Sequence, residues 1–286
     1  MKAAPFAYCR PSSVAEALDV LAGGSSDGGV KVLAGGQSLV PVLAMRLGRP
    51  GTLVDITRLP ELDALTVVDG GLRVGAAVRQ RRVERSAEVA AVPLIGRAMP
   101  FVGHRELRSR GTVCGSLAHA DPAAELPAVA ACLGATVEVA GPSGTREVAA
   151  RDLVTGAMTT ALGPDELITA VRFPAARAGD GFGFAEIARR HGDFALAGVA
   201  VHARGWGDSG DATLAAFGVS DRPVVREVSV GPEPTEAGLR PVTDALAREI
   251  VDTEGDAHAS RGYRARLLGV LAARELVRAH REAACS

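Results

Sequence analysis

The chain has 286 residues, 47% of them hydrophobic and 23% charged, with a net charge of −1. That is enough apolar side chain for a sizeable core in two domains or one large one, and the balance excludes both a basic nucleic-acid face and an acidic tail. Aromatic residues make up only 3%, too few for the stacking platforms of single-stranded nucleic-acid binders.

The opening MKAAPFAYCRPSSVAEAL has no long apolar stretch and reads as mature structure. No apolar run reaches the ~20 residues of a membrane span, so a cytoplasmic protein is expected. Cys9, Cys114, Cys132 and Cys285 are scattered, without C-x-x-C spacing. Reduced structural thiols are therefore expected, with no metal or iron–sulfur ligation inside this chain.

In chain order, residues 13–23 predict a first helix, with Ser13 and Glu16 in capping-box spacing. A short strand at 30–34 runs into Gly35-Gly36, a helix follows at 39–47, and 54–56 is a further strand. Residues 65–75 predict a hairpin turning at Asp69-Gly70. A helical stretch covers 78–99. A glycine-containing loop at 111–116 leads to Asp121-Pro122 as a helix start, and that helix should stop near Gly134. A second hairpin spans 136–149. Pro174 to Gly181 is a candidate boundary. Beyond it, strand-like runs lie near 182–189, 194–204 and 212–219, and helices near 240–251 and 259–283. Strand and helix signals alternate before the boundary, while strands precede helices after it.

Two loops suggest anion chemistry. In Leu33-Ala34-Gly35-Gly36-Gln37-Ser38-Leu39 an apolar strand enters a Gly-Gly turn with a hydroxyl residue before a helix. Glycine permits close backbone approach, and the helix start adds partial positive charge. The stretch is neither a Walker loop nor a G-x-G-x-x-G fingerprint. Thr112-Val113-Cys114-Gly115-Ser116, followed by Asp121 and Glu125, repeats the combination. Thr112 and Ser116 offer donors, and a carboxylate offers an acceptor for sugar hydroxyls. The plainer readings are a ligand-free turn for the first loop, an N-cap for Asp121 and a solvated acid for Glu125. Two such loops in one domain suit the separated cradles of a dinucleotide.

Together these stretches resemble the FAD-binding medium subunits of molybdenum hydroxylases, the xanthine dehydrogenase and aerobic carbon monoxide dehydrogenase family. Its A-G-G-x-S, T-x-G-G-S and A-D-P-A-A-D/E motifs are matched at Ala34–Ser38, Thr112–Ser116 and Ala120–Glu125. Phe6, Tyr8, Pro11, Ser13, Glu16, Ala17 and Leu18 match the opening pattern, Arg189-Arg190-His191-Gly192-Asp193 the R-R-x-x-D motif, and His258-Ala259-Ser260 with Tyr263-Arg264 the C-terminal signature. The resemblance implies an α+β fold. Residues 1–176 would form an FAD-binding domain of the p-cresol methylhydroxylase and vanillyl-alcohol oxidase type, built of two α/β subdomains. Residues 177–286 would form an α+β domain like that of the carbon monoxide dehydrogenase flavoproteins.

The resemblance also implies noncovalent FAD, with Leu33 to Leu39 around the diphosphate, Thr112 to Ser116 as a second cradle, and Asp121 and Glu125 toward the flavin-side hydroxyls. Val102 would be a further FAD contact, and Ile168, Gly192 and Asp193 would lie near the ring. No catalytic residue is expected here. Electrons would arrive from [2Fe-2S] clusters on a small partner, molybdenum cofactor would sit on a large one, and the assembly would be a heterotrimer-based hetero-oligomer without nucleic acid. Cys114 stands where the family has glycine. Its side chain would crowd a phosphate if positive φ were required there, and altered packing is expected instead. The basic residues of the last helix, Arg264, Arg266, Arg274, Arg278 and Arg281, read as a solvated face. A self-contained flavoenzyme with its own small substrate and a non-catalytic nucleotide-binding module remain the alternative functions.

Overall fold

The computed structural model describes residues 2–24, 28–204 and 210–285. Its first layer is a three-stranded parallel sheet in the order Ala7–Cys9, Thr52–Asp55, Val30–Leu33. The helix Val14–Ala22 packs beside it, with the Ser13 hydroxyl accepting from the Glu16 amide at 3.1 Å as the capping spacing predicts. The Glu16 carboxylate reaches back to the Ser12 amide and hydroxyl, one residue beyond the expected partner.

The second layer is a five-stranded antiparallel sheet in the order Leu65–Val68, Gly71–Gly75, Leu167–Phe173, Thr136–Gly141, Gly144–Ala149. Both predicted hairpins are in it, and Asp69 and Gly70 both carry positive φ at the first turn. The expected helix over 78–99 is broken into Gln80–Arg85, a 3₁₀ turn at Ala87–Ala91 and Pro93–Ala98. Pro93 is the cause: it has no N–H to donate and pushes Val92 out of helical geometry, to φ −136° and ψ 76°.

Helix Glu125–Leu133 is buried on every side. It begins four residues after the expected Asp121 start. The Asp121 carboxylate accepts from the Ala123 amide at 2.9 Å, closing a local turn that competes with helix. It ends at Gly134, with φ 66°, as predicted.

The third sheet is antiparallel, Gly181–Ala188, Ala195–Ala203, Asp211–Phe217, Val224–Ser229. The last strand is absent from the sequence reading, being a short edge strand whose side chains are mostly half-exposed. All nine residues of Ala195–Ala203 are buried, because the sheet is covered on both faces. Ala200, Ala215 and Phe217 join the core of the first two layers, whereas Ala197, Val199, Val201, Leu214 and Ala216 pack against the two terminal helices. Those helices are Glu236–Ile250, capped by Thr235 and carrying Pro241 inside, and Arg261–Cys285. Among the described residues no helix is long and apolar enough to cross a membrane.

Arg264 corrects the solvated-face expectation. Its guanidinium is buried, donating to the Leu196 carbonyl at 2.6 Å, the Gly218 carbonyl at 2.7 Å and the Asp256 carboxylate at 2.7 Å. Arg266, Arg274, Arg278 and Arg281 are exposed.

Candidate functional site

The two glycine loops touch. A Cβ on Gly35 would overlap the Arg110 carbonyl oxygen and stand 2.6 Å from Gly111 Cα. Gly35 is glycine so that the second loop can lie against it. Ala34 continues the contact, 3.6 Å from where a Gly115 Cβ would stand. The second loop is tied down by the Gln80 amide donating to the Gly111 carbonyl at 2.8 Å and by the Arg79 guanidinium donating to the Arg110 carbonyl.

On the first loop Gly36 has φ +74°. The N–H groups of Gly36, Gln37 and Ser38 have no partner among the described residues. Successive free amides around one positive-φ residue form an anion-binding nest. The Gln37 side chain folds back onto the Gly35 carbonyl at 3.3 Å. Ser38 is exposed and its hydroxyl caps nothing, so it is open to a ligand, while Leu39 begins the helix Leu39–Ala44.

The expected loop at 111–116 is instead the start of helix Val113–His119. Thr112 is its N-cap: the buried hydroxyl accepts from the Gly115 amide at 3.0 Å, which occupies that oxygen with the helix. The Cys114 amide has no partner among the described residues, while the Val113 amide follows directly on the Arg79–Thr112 bridge. Ser116 is half-buried one turn on. Cys114 is helical and buried, its thiol 3.6 Å from the Val74 carbonyl and pushed up by burial to about 12. The expected altered packing is what the backbone permits, because no positive φ is required there, and a redox-active thiolate is disfavoured.

A cleft of about 560 Å³ opens where the loops meet, lined by Leu33, Ala34, Gly35, Gly36, Gln37 and Val40 with Arg10, Asp55, Thr57, Arg58, Arg79 and Arg110. Burial works to raise the Asp55 carboxyl. Hydrogen bonds from Thr57, Tyr8 and Arg10 outweigh it, so the group is held below the usual carboxylate range.

Arg108 organises a second cluster. It is buried, forms a two-bond pair with Glu84 at 2.9 and 3.1 Å, and donates to the Val102 and Gly103 carbonyls at 3.2 and 3.0 Å. Val102 is thereby fixed against the core. Glu125, 7% exposed, feels both Arg108 and Asp121. Burial raises its carboxyl to about 7. Glu186 sits beside it: burial and the Glu125 charge push it to about 8, and one of its oxygens is buried without a hydrogen-bond partner among the described residues. Gly192, with φ +84°, lies against the His104 ring, whose centroid is 6.0 Å from that of His191. Asp193 is exposed on that loop, and Ile168 is buried in the five-stranded sheet. His119 is half-buried, and burial lowers its pKa.

The Glu125 carboxyl carries a stability cost with a defined pH window. The unfolded chain releases this proton near 4.5, whereas the folded chain holds it to about 7. Stability therefore falls as pH rises through that window, and the penalty is complete above it. Glu125→Gln should stabilise the ligand-free chain by about 3 kcal/mol at pH 8 and leave it nearly unchanged at pH 4. Urea melts at the two pH values check this; an equal change at both would mean that the carboxylate charge is not what costs stability.

Sequence reasoning missed Arg79, Arg108, Arg110, Glu84 and Glu186. One signal was present for Glu186: Phe182, Phe184 and Glu186 alternate on one strand face, so an acid continues an apolar row.

Residues 4–176 match the family model described as "FAD binding domain in molybdopterin dehydrogenase". The chain is 36% identical to the caffeine dehydrogenase subunit beta of Pseudomonas sp. (strain CBB1), covering 98% of this chain and 96% of that one. It is also 36% identical to the nicotine 6-hydroxylase medium subunit of Paenarthrobacter nicotinovorans, covering 98% and 99%. The solved structure of a carbon monoxide dehydrogenase from Hydrogenophaga pseudoflava, lacking the Mo-pyranopterin moiety of its cofactor, superposes with a TM-score of 0.92 at 31% identity, covering 98% of each chain.

Proposed function

The chain belongs to the FAD-binding family of the molybdopterin dehydrogenases, and from that premise we propose that it works as the electron-transfer medium subunit of a molybdenum-containing dehydrogenase. In this reading a small iron–sulfur subunit delivers electrons, a large molybdenum subunit oxidises the substrate, and this chain hands the electrons to an external acceptor. The relatives named medium subunit or medium chain support that division of labour. Residues 1–176 are the cofactor-holding unit in the proposal, residues 177–286 cover it, and the cytoplasm is its location.

One observation carries the reading: the Gly35 backbone lies against Gly111, which brings two distant sequence stretches together beside the Gly36, Gln37 and Ser38 amides, unpartnered among the described residues. Bound FAD supplies one- and two-electron transfer; the protein supplies position and electrostatics. The Gly36, Gln37 and Ser38 amides take one side of the diphosphate, and the Val113 and Cys114 amides the other. Leu33, Ala34 and Leu39 shape the strand-to-helix turn, and Thr112, Gly115 and Ser116 hold the second wall. Glu125, with Asp121 beside it, accepts from sugar-chain hydroxyls, and charge is worth its burial there because those donors replace water. Ile168 and Asp193 are the proposed neighbours of the ring, and Val102 is a further proposed FAD contact.

Affinity purification of the tagged chain from its native host tests the proposal, read by absorbance and mass spectrometry. Flavin bands together with an iron–sulfur and a molybdenum subunit are the expected result. Flavin that a small molecule reduces, in a preparation without partners, would replace the proposal with a self-contained flavoenzyme. A colourless chain that takes up no FAD would contradict both.

A further inference from the structure

The geometry points to Arg79 and Arg110 as a guanidinium clamp on the cofactor diphosphate, so that affinity here rests on side-chain charge as well as on backbone amides. The inference builds on the FAD reading above.

Four arginines line the cleft against one carboxylate, Asp55. Asp55 is already matched: it accepts from the Thr57 amide at 2.8 Å, from the Tyr8 hydroxyl and from Arg10 at 3.2 Å. That leaves the guanidiniums of Arg58, Arg79 and Arg110 lining the cleft without an ion pair among the described residues. Those of Arg58 and Arg110 have no hydrogen-bond or ion-pair partner among the described residues, and Arg79 donates to a main-chain carbonyl. Arg79 is partly buried, and burial together with the neighbouring Arg110 charge holds its pKa below the ordinary value. Two like charges at the mouth of a nest of free amides repel each other until an anion separates them.

A diphosphate fits this arrangement better than a carboxylate-bearing protein. Arg79 and Arg110 line the same concavity as Gly35 and Gly36, and guanidinium groups bind phosphate oxygens in pairs. The adjoining groove of Arg79, Arg81, Arg82 and Arg85 is a different case, because Arg81 is paired with Glu84 and Arg82 with Asp63.

Arg110→Gln is the cleaner variant. The Arg110 main chain, not its side chain, holds the loop contacts. Arg79→Gln is the second. The flavin-free full chain is titrated with FAD, ADP and riboflavin at ionic strengths of about 0.05 and 0.5 M. For both variants the Kd for FAD and for ADP should rise about tenfold at low salt. The difference should shrink at high salt, and riboflavin binding should not change. Wild-type FAD affinity in Arg110→Gln at low salt overturns the clamp while leaving the FAD reading intact. Equal losses for riboflavin and ADP also overturn it, since the effect would then be structural. A wild-type chain that takes up no FAD overturns both readings.

Discussion

Gly35→Val should abolish FAD uptake, weakening it by more than about a hundredfold, and should cost about 3 kcal/mol of stability. The sequence suggests a simple reason, that a side chain would block approach of an anion. The structure supplies a different one. The space a Cβ would need is filled by the Arg110 carbonyl oxygen and Gly111 Cα, both main chain. Neither can rotate away, so the two loops must separate, and separation undoes the cradle. Gly36 provides the contrast. Its φ of +74° makes any side chain strained, but a Cβ there meets only the Val40 and Leu33 side chains at 3.2 and 3.3 Å. Gly36→Ala should therefore cost only about 1–2 kcal/mol. Fluorescence titration with FAD and urea melts of both variants separate the effects. Near-normal FAD affinity in Gly35→Val would show that the loops need not touch.

Arg264→Ala should destabilise the chain by about 3–5 kcal/mol, the cost of removing one member of a buried, hydrogen-bonded ionic group. Arg264 joins the last helix to the ends of two strands through the Leu196 and Gly218 carbonyls. The Gly218 amide in turn donates to the Pro122 carbonyl at 2.8 Å, so the same lock steadies the turn that precedes Glu125. Arg264→Lys should recover only part of the loss, because an ammonium group lacks the planar fork that reaches both carbonyls and Asp256. Asp256→Asn should cost far less than Arg264→Ala, its side chain being 49% exposed. Thermal melts of the three variants check the order; an Ala variant as stable as the Asn variant would refute the buried-lock account.

Local signals in the sequence carried the parts of the fold that local chemistry decides. Ser13, Asp69-Gly70 and Gly134 each satisfy a nearby backbone requirement, and each does so in the structure. The errors arose where a competing local bond or a long-range contact decides. Pro93 splits a periodic helix, the Asp121 carboxylate delays the next one, and Thr112 converts an apparent loop into a helix start. Arg264 looks solvated because its neighbours on the helix are; its burial depends on strand ends more than 40 residues away in sequence.

The site was legible in the same uneven way. The glycine motifs mark both loops, yet nothing in either predicts that Gly35 faces Gly111. The arginines of the cleft come from four separate segments, and only the folded chain brings them to one opening. Glu125 was visible as a motif residue, but its raised pKa comes from helix Glu125–Leu133 being enclosed on every side.

A structure of the full chain with FAD bound measures the central claim most directly. The diphosphate should lie within hydrogen-bond reach of the Gly36–Ser38 amides on one side and the Val113–Cys114 amides on the other. Phosphates contacting only one of these segments would contradict it.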